Sequence, residues 1–234
     1  MQKIHADHAL TPQGWVRDLC VVIDGGRITE LTVGPAPGAT SVDLLLPAPV
    51  NLHSHAFQRA MAGLTEARGS DPSDSFWTWR RLMYRFLDRL TPDQVQAIAA
   101  MVYVEMLEAG YGAGAVYHNL HHDIGGAPYC DVAERAKRIS AAADATGLGL
   151  TLLPVLYMQG GCDGRALEGG QRRFGNDVDG FARLREAVTL TREDDVLGVA
   201  AHSLRAVTPE ALDWVTTLDG PLHLHLAAQV AEVD

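Results

Sequence analysis

Apolar and polar positions along this chain change period several times, and the changes predict alternating strands and helices. LCVVI (19–23) and RITELTV (27–33) are short extended runs on either side of Asp24-Gly25-Gly26, where glycine supplies the positive φ of a hairpin turn. After the Pro/Gly-rich stretch 34–38, a continuous apolar run from Leu44 to Val50 leads into Asn51-Leu52-His53-Ser54-His55, which predicts a buried strand with a polar end. Thr91-Pro92-Asp93 then opens QVQAIAAMVYVEMLEAG, with an N-cap, an early proline, helical apolar spacing and a terminal Gly110. Further along, the pattern predicts a strand over 113–118, a helix over 131–146 closed by Gly147 and a strand over 150–156. A helix over 181–190, a strand over 196–202, a helix over 209–218 and a strand over 222–226 follow.

Strands separated by helices imply parallel βαβ units. The expected fold class is α/β: a partial (β/α)8 TIM-like barrel, its first five strands or so, after a small N-terminal β element. The division expected is residues 1–45 for the β-rich segment and 46–234 for the barrel. A whole barrel takes eight strands in typically about 250 residues, whereas the fifth strand here ends at Leu226; an open half-barrel leaves an unpaired edge and an uncovered apolar face, so truncation, a partner that supplies the rest, or a poorly stable product is expected.

Composition narrows the chemistry. At 47% hydrophobic residues the chain can form a core, and its formal net charge of -10 argues against nucleic-acid or anionic-membrane partners, which need clustered Lys and Arg. No apolar run is long enough to span a bilayer and the first ten residues lack the order of a signal peptide, so a cytoplasmic location is the expectation. Cys20, Cys130 and Cys162 lack CxxC spacing and read as free thiols.

Histidine is the compositional oddity, with ten residues. His53 and His55 alternate at the end of an apolar strand, where catalytic groups of such a barrel gather, so both imidazoles can face one metal. His223 and His225 repeat the pattern on the fifth strand, and His202 closes the fourth. Imidazole ligands suit zinc, and a catalytic zinc keeps one position for water. The bland alternative for His53 and His55 is two satisfied surface or core histidines, and each later histidine taken alone is as open to it. His118, His121 and His122, with Asp123, can either line the same mouth or form a solvated loop cluster. Arg205 and Arg80, the latter in the aromatic segment FWTWRR (76–81), are candidate anion clamps, with an exposed salt bridge as the alternative for each.

The strings NLHSHAFQRAMAGL, SFWTWRRLMYRF, HSLRAV and PLHLHLA closely resemble the formimidoylglutamate deiminase family of the amidohydrolase superfamily. The resemblance implies hydrolysis of N-formimino-L-glutamate to N-formyl-L-glutamate and ammonia in histidine degradation, with one Zn2+ per chain. By position it implies His53, His55 and His225 as zinc ligands, and Gln58, Arg80, His202 and Arg205 as substrate contacts, with His202 also stabilising the intermediate. A homodimer is compatible with it. Two positions depart from the family pattern. Ala228 replaces the glutamate that shuttles protons three residues after the third zinc histidine, and Asn119 replaces a tyrosine. The family's zinc-binding aspartate lies beyond residue 234, which leaves three of four protein zinc ligands. Two other classes compete: an inactive amidohydrolase fragment that binds only metal or a partner, and an amidohydrolase deaminase acting on a nucleobase.

Overall fold

The computed structural model describes residues 1–65, 76–227 and 230–233. Its internal contacts divide the chain into two units, Met1–Pro49 and Val50–Asp234.

The first unit is a four-stranded sheet in the order β3-β2-β1-β4. Strand β1 (Gln2–Thr11) pairs antiparallel with β2 (Gly14–Asp24), which pairs with β3 (Arg27–Val33) across the Gly25-Gly26 turn. Both glycines have positive φ, as the hairpin reading requires. Strand β4 (Thr40–Leu45) lies parallel to β1 on its other side. Ala6, Ala9, Leu19 and Val21 form the small core of this unit.

The run from Leu44 to Val50 is not one buried strand. β4 ends at Leu45 in the first sheet and β5 (Val50–Ser54) begins in the second, with Pro47 and Pro49 between them. Proline cannot donate to a ladder, so the two prolines separate two sheets instead of interrupting one strand. Nor is the run buried, since Leu44 is 53% and Val50 48% exposed.

The second unit is a parallel sheet in the order β10-β9-β7-β6-β5, with helices between successive strands. Its strands are β5, β6 (Ala113–His118), β7 (Gly149–Leu156), β8 (Val196–Leu197), β9 (Val199–Ser203) and β10 (Leu222–His225). The single strand expected over 196–202 is broken at Gly198. β8 pairs with β7 there, and a Cβ at residue 198 would meet the Pro221 carbonyl at 2.4 Å. β5 and β10 are the two edges, and Val50, Leu52 and Leu222 on them are exposed.

The helices are α1 (Phe76–Leu87), α2 (Pro92–Glu108), α3 (Glu134–Thr146), α4 (Val178–Ala187) and α5 (Pro209–Val215). α1 was not foreseen, because its run of aromatic and arginine residues reads as a segment without clear period. α2 starts where its caps predict: the Thr91 hydroxyl accepts from the Gln94 N–H while the Gln94 side chain accepts from the Thr91 N–H. Val95, Ala99, Tyr103 and Met106 form its buried stripe. α3 begins three residues later than expected, at Glu134, after Asp131 has turned its carboxylate to the Ala133 N–H. Gly147 closes it at φ 82°. The main core lies between these helices and the sheet, around Leu87, Ala99, Tyr103, Ile139, Leu148 and Leu152.

Candidate active site

Parallel strands all end on the same side of their sheet, so residues at or just beyond those ends are brought together whatever their separation in sequence. His55 follows β5, Asn119 follows β6, Tyr157 follows β7, His202 lies near the end of β9 and His225 ends β10. All five line one cavity of about 260 Å3. Gln58 joins them from the 3-10 turn Ala56–Met61, Trp79, Arg80, Met83 and Tyr84 from α1, Phe174 from a loop, and Arg205 from just beyond β9.

At one edge of this cavity the imidazoles of His53, His55 and His225 converge, with one ring nitrogen of each within 4.8 Å of the others. The His53 and His55 Nε2 atoms are 3.1 Å apart, and those of His225 and His53 are 3.3 Å apart. Tetrahedral zinc with Zn–N bonds near 2.0–2.1 Å requires ligand nitrogens about 3.3–3.4 Å apart, so these spacings fit such an ion. The donor chemistry fits as well. His225 Nδ1 lies 3.0 Å from the His202 carbonyl, so the proton sits on Nδ1 and Nε2 presents a lone pair to the site.

Electrostatics keep the three rings neutral. Burial, and then the neighbouring His53 and His225, push His55 down to about 3. Burial followed by His223 lowers His53, and burial followed by His53 lowers His225. His223, although part of the second HxH, is not in the triad. Its ring stacks 6.3 Å from that of His53, and it is not among the nitrogens that converge with those of His53 and His55. Beneath the triad Tyr117 is buried, its ring centroid 5.0 Å from those of His53 and His55 and 4.5 Å from that of His225. Its hydroxyl faces the carbonyls of Ala201 and His202 at 2.9 and 2.8 Å.

His202 has its Nδ1 3.0 Å from the Ser203 hydroxyl and its ring 4.5 Å from that of Tyr157, which in turn accepts from the Gln171 amide. Burial, then His225 and Arg205, hold it well below its usual value, so it is a neutral imidazole. Arg205 is not an exposed salt bridge, and Arg80 is half-buried. Arg205 is 6% exposed, with Glu232 at 3.9 Å, and Arg80 donates to the Tyr84 hydroxyl at 2.8 Å with its guanidinium over that ring. The Arg205 Nε and the Asn119 Oδ1 are buried with no hydrogen-bond partner among the described residues. Two orphaned polar groups on one cavity wall mark it as a place for a polar ligand.

Neither reading of His118, His121 and His122 holds. All three are buried, at 4%, 1% and 8% exposure, and none lines the cavity. His121 and His122 instead bond the carbonyls of Val155 and Gly175 and brace the loop after β6. Asp123 is exposed and caps the short 3-10 turn that follows. Ala228 lies outside the described residues. Sequence reasoning missed Tyr157, Phe174, Tyr84, Trp79 and Met83. Tyr157 was open to the strand-end argument applied to the histidines, whereas the others carry no local signal.

A parallel strand–helix sheet that gathers an HxH pair from its first strand and a histidine from its last around one cavity has the arrangement of an amidohydrolase barrel, and its three imidazoles could hold a metal ion. Residues 1–41 match the family described as Formimidoylglutamate deiminase HutF, N-terminal domain. The whole chain is 48% identical to formimidoylglutamate deiminase of Pseudomonas aeruginosa, over 53% of that protein. A crystal structure of an amidohydrolase from Brucella melitensis superposes with a TM-score of 0.90 at 48% identity, over 100% of this chain and 53% of that one. At the level of fold alone, zinc-complexed atrazine chlorohydrolase from Arthrobacter aurescens TC1 superposes with a TM-score of 0.72 at 17% identity, over 97% of this chain and 53% of that one. The chain is thus similar over its whole length to formimidoylglutamate deiminase, and it spans about half the length of the relatives it matches.

Proposed function

We propose that this site binds one zinc ion and takes part in hydrolysing N-formimino-L-glutamate to N-formyl-L-glutamate and ammonia. The observation that carries the reading is the meeting, around one cavity, of three neutral imidazoles with two arginines and a neutral His202. His53, His55 and His225 would hold the metal. Zinc in such a site supplies a water activated near neutral pH. Arg80 and Arg205 present planar guanidinium forks suited to the two carboxylates of a glutamate derivative. Gln58, from the turn after His55, offers an amide to the formimino end. His202 can donate a hydrogen bond to the imino nitrogen that gains the electron pair when the formimino carbon becomes tetrahedral, and its neutrality avoids repelling the nearby metal. The aromatic wall of Trp79, Tyr84, Tyr157 and Phe174 excludes water from the bound substrate. A cytoplasmic, homodimeric enzyme of histidine degradation is the setting that goes with this reading.

Ala228 favours a second reading, a chain that binds metal without turnover. A methyl group cannot carry a proton from the attacking water to the leaving amine, and loss of such a group typically removes about 10²–10⁴ in rate. Ammonia release from N-formimino-L-glutamate by the zinc-supplied chain, measured against a His53→Ala control, separates the two. Release above the control supports the deiminase. No release from a chain that still binds zinc supports the second reading. Thermal protection by guanine or adenosine but not by N-formimino-L-glutamate would overturn the substrate assignment.

A further inference from the structure

Arg135 and Arg173 are the largest fully buried side chains, 1% and 0% exposed, and neither lines the cavity. Burying a guanidinium is costly unless its donors are paired. Here the pairing is with backbone. Arg173 donates from Nε to the His122 carbonyl at 3.1 Å, from Nη2 to the Leu90 carbonyl at 3.0 Å, and from Nη1 to the Leu87 carbonyl. Arg135 donates from Nη2 to the same Leu90 carbonyl at 2.7 Å and to the Tyr129 hydroxyl, which donates on to the exposed Asp123 carboxylate. In return, the Arg173 carbonyl accepts from the N–H groups of His121 and His122 at 3.0 and 2.9 Å.

These bonds join three pieces of chain. Leu87 ends α1 and Leu90 precedes the Thr91 cap of α2, so two carbonyls at the helix junction receive cationic donors. The last carbonyls of a helix lack intrahelical partners and carry the negative end of its dipole, which suits a guanidinium. The same α1 carries Trp79, Arg80, Met83 and Tyr84 into the cavity, Phe174 follows Arg173 directly, and Asn119 opens the loop that ends at His122. The 3-10 turn that carries Arg173, Gly169–Arg173, is itself pressed close to α1: a Cβ at Gly170 would lie 2.6 Å from the Tyr84 ring.

We propose that Arg173 is a positioning residue that sets the anion-binding wall of the cavity by clamping the C-terminal end of α1 to the loop after β6. It touches no cavity ligand and acts through Arg80 and Tyr84, which lie on the same helix up to two turns upstream of Leu87. The consequence for substrate rests on the function proposed above, whereas the clamp does not.

The test compares the full chain with Arg173→Met and Arg173→Lys by hydrogen exchange, by zinc titration and by titration with N-formyl-L-glutamate. In Arg173→Met, α1 amides should exchange faster while α3 amides do not. Affinity for N-formyl-L-glutamate should fall about 10- to 100-fold, as expected for a misplaced clamp residue. Zinc affinity should hold, since His53, His55 and His225 have no bond to Arg173. Arg173→Lys, able to serve fewer carbonyls, should fall between. Unchanged α1 exchange in Arg173→Met, or unchanged ligand affinity beside a loosened α1, overturns the proposal. If Arg173→Met unfolds, Arg173→Lys decides, with α1-selective loosening supporting the clamp and uniform loss of protection overturning it. If the unsubstituted chain binds no N-formyl-L-glutamate, the proposed substrate falls and the exchange pattern alone decides whether Arg173 clamps α1.

Discussion

Replacing His55 by alanine removes one of the three nitrogens that converge at the metal site, and leaves the other two 3.3 Å apart. Two imidazoles cannot hold zinc as three can, so the stabilisation that zinc gives the folded chain should be lost. Its size follows from mass action. Zinc at 100 times its dissociation constant stabilises by about 2.7 kcal/mol when it binds only the folded state. The ligands all lie in the unit Val50–Asp234, and for a domain of that size each 1 kcal/mol moves the melting midpoint by about 2–4 °C. Zinc should therefore raise the midpoint by about 5–11 °C, and a chelator should reverse the shift. A thermal melt at pH 7.5, with and without zinc, on the unsubstituted chain, His55→Ala, His225→Ala and His223→Ala measures it. His55→Ala and His225→Ala should lose the shift. His223→Ala should keep it, because that ring lies outside the triad. A full shift in His55→Ala, or its loss in His223→Ala, would refute the assignment of ligands.

Stability should fall as pH drops below about 6.5, where histidines of the unfolded chain take up protons. Burial lowers His118 strongly and pushes His121 down to about 3, so the folded state does not bind those protons and loses ground to the unfolded one. His121→Gln should flatten the slope between pH 6.5 and 5 in urea melts, and an unchanged slope would contradict the burial argument. Tyr117→Phe removes a buried hydroxyl from the carbonyls of Ala201 and His202 and should cost about 1–2 kcal/mol in the same assay. Thr91→Ala should cost about 1 kcal/mol by opening the capping box of α2, with Thr91→Ser largely restoring it. If the deiminase reading is right, Ala228→Glu should raise ammonia release by about 10²–10⁴-fold, and no gain would remove that residue from the mechanism.

Local signals in the sequence were enough for the elements whose ends are chemically marked. Thr91, Pro92 and Gly147 define helix ends by their own hydrogen bonds and backbone angles, so α2 is readable at its start and α3 at its close. Alternation on a strand puts His53 and His55 within reach of one metal, and the strand-end rule places His202 and His225 at the same mouth. Period and capping were silent where partners come from far away. The prolines at 47 and 49 punctuate the chain, but only pairing with β1 and with β6 shows that they divide two sheets. His223 and His225 are equivalent in sequence, and the choice between them is made by which ring nitrogen comes within reach of those of His53 and His55. Arg173 and His121 look like surface residues by type. They are interior because backbone carbonyls 34 to 86 residues away in sequence accept their protons, and no local pattern encodes a partner at that distance.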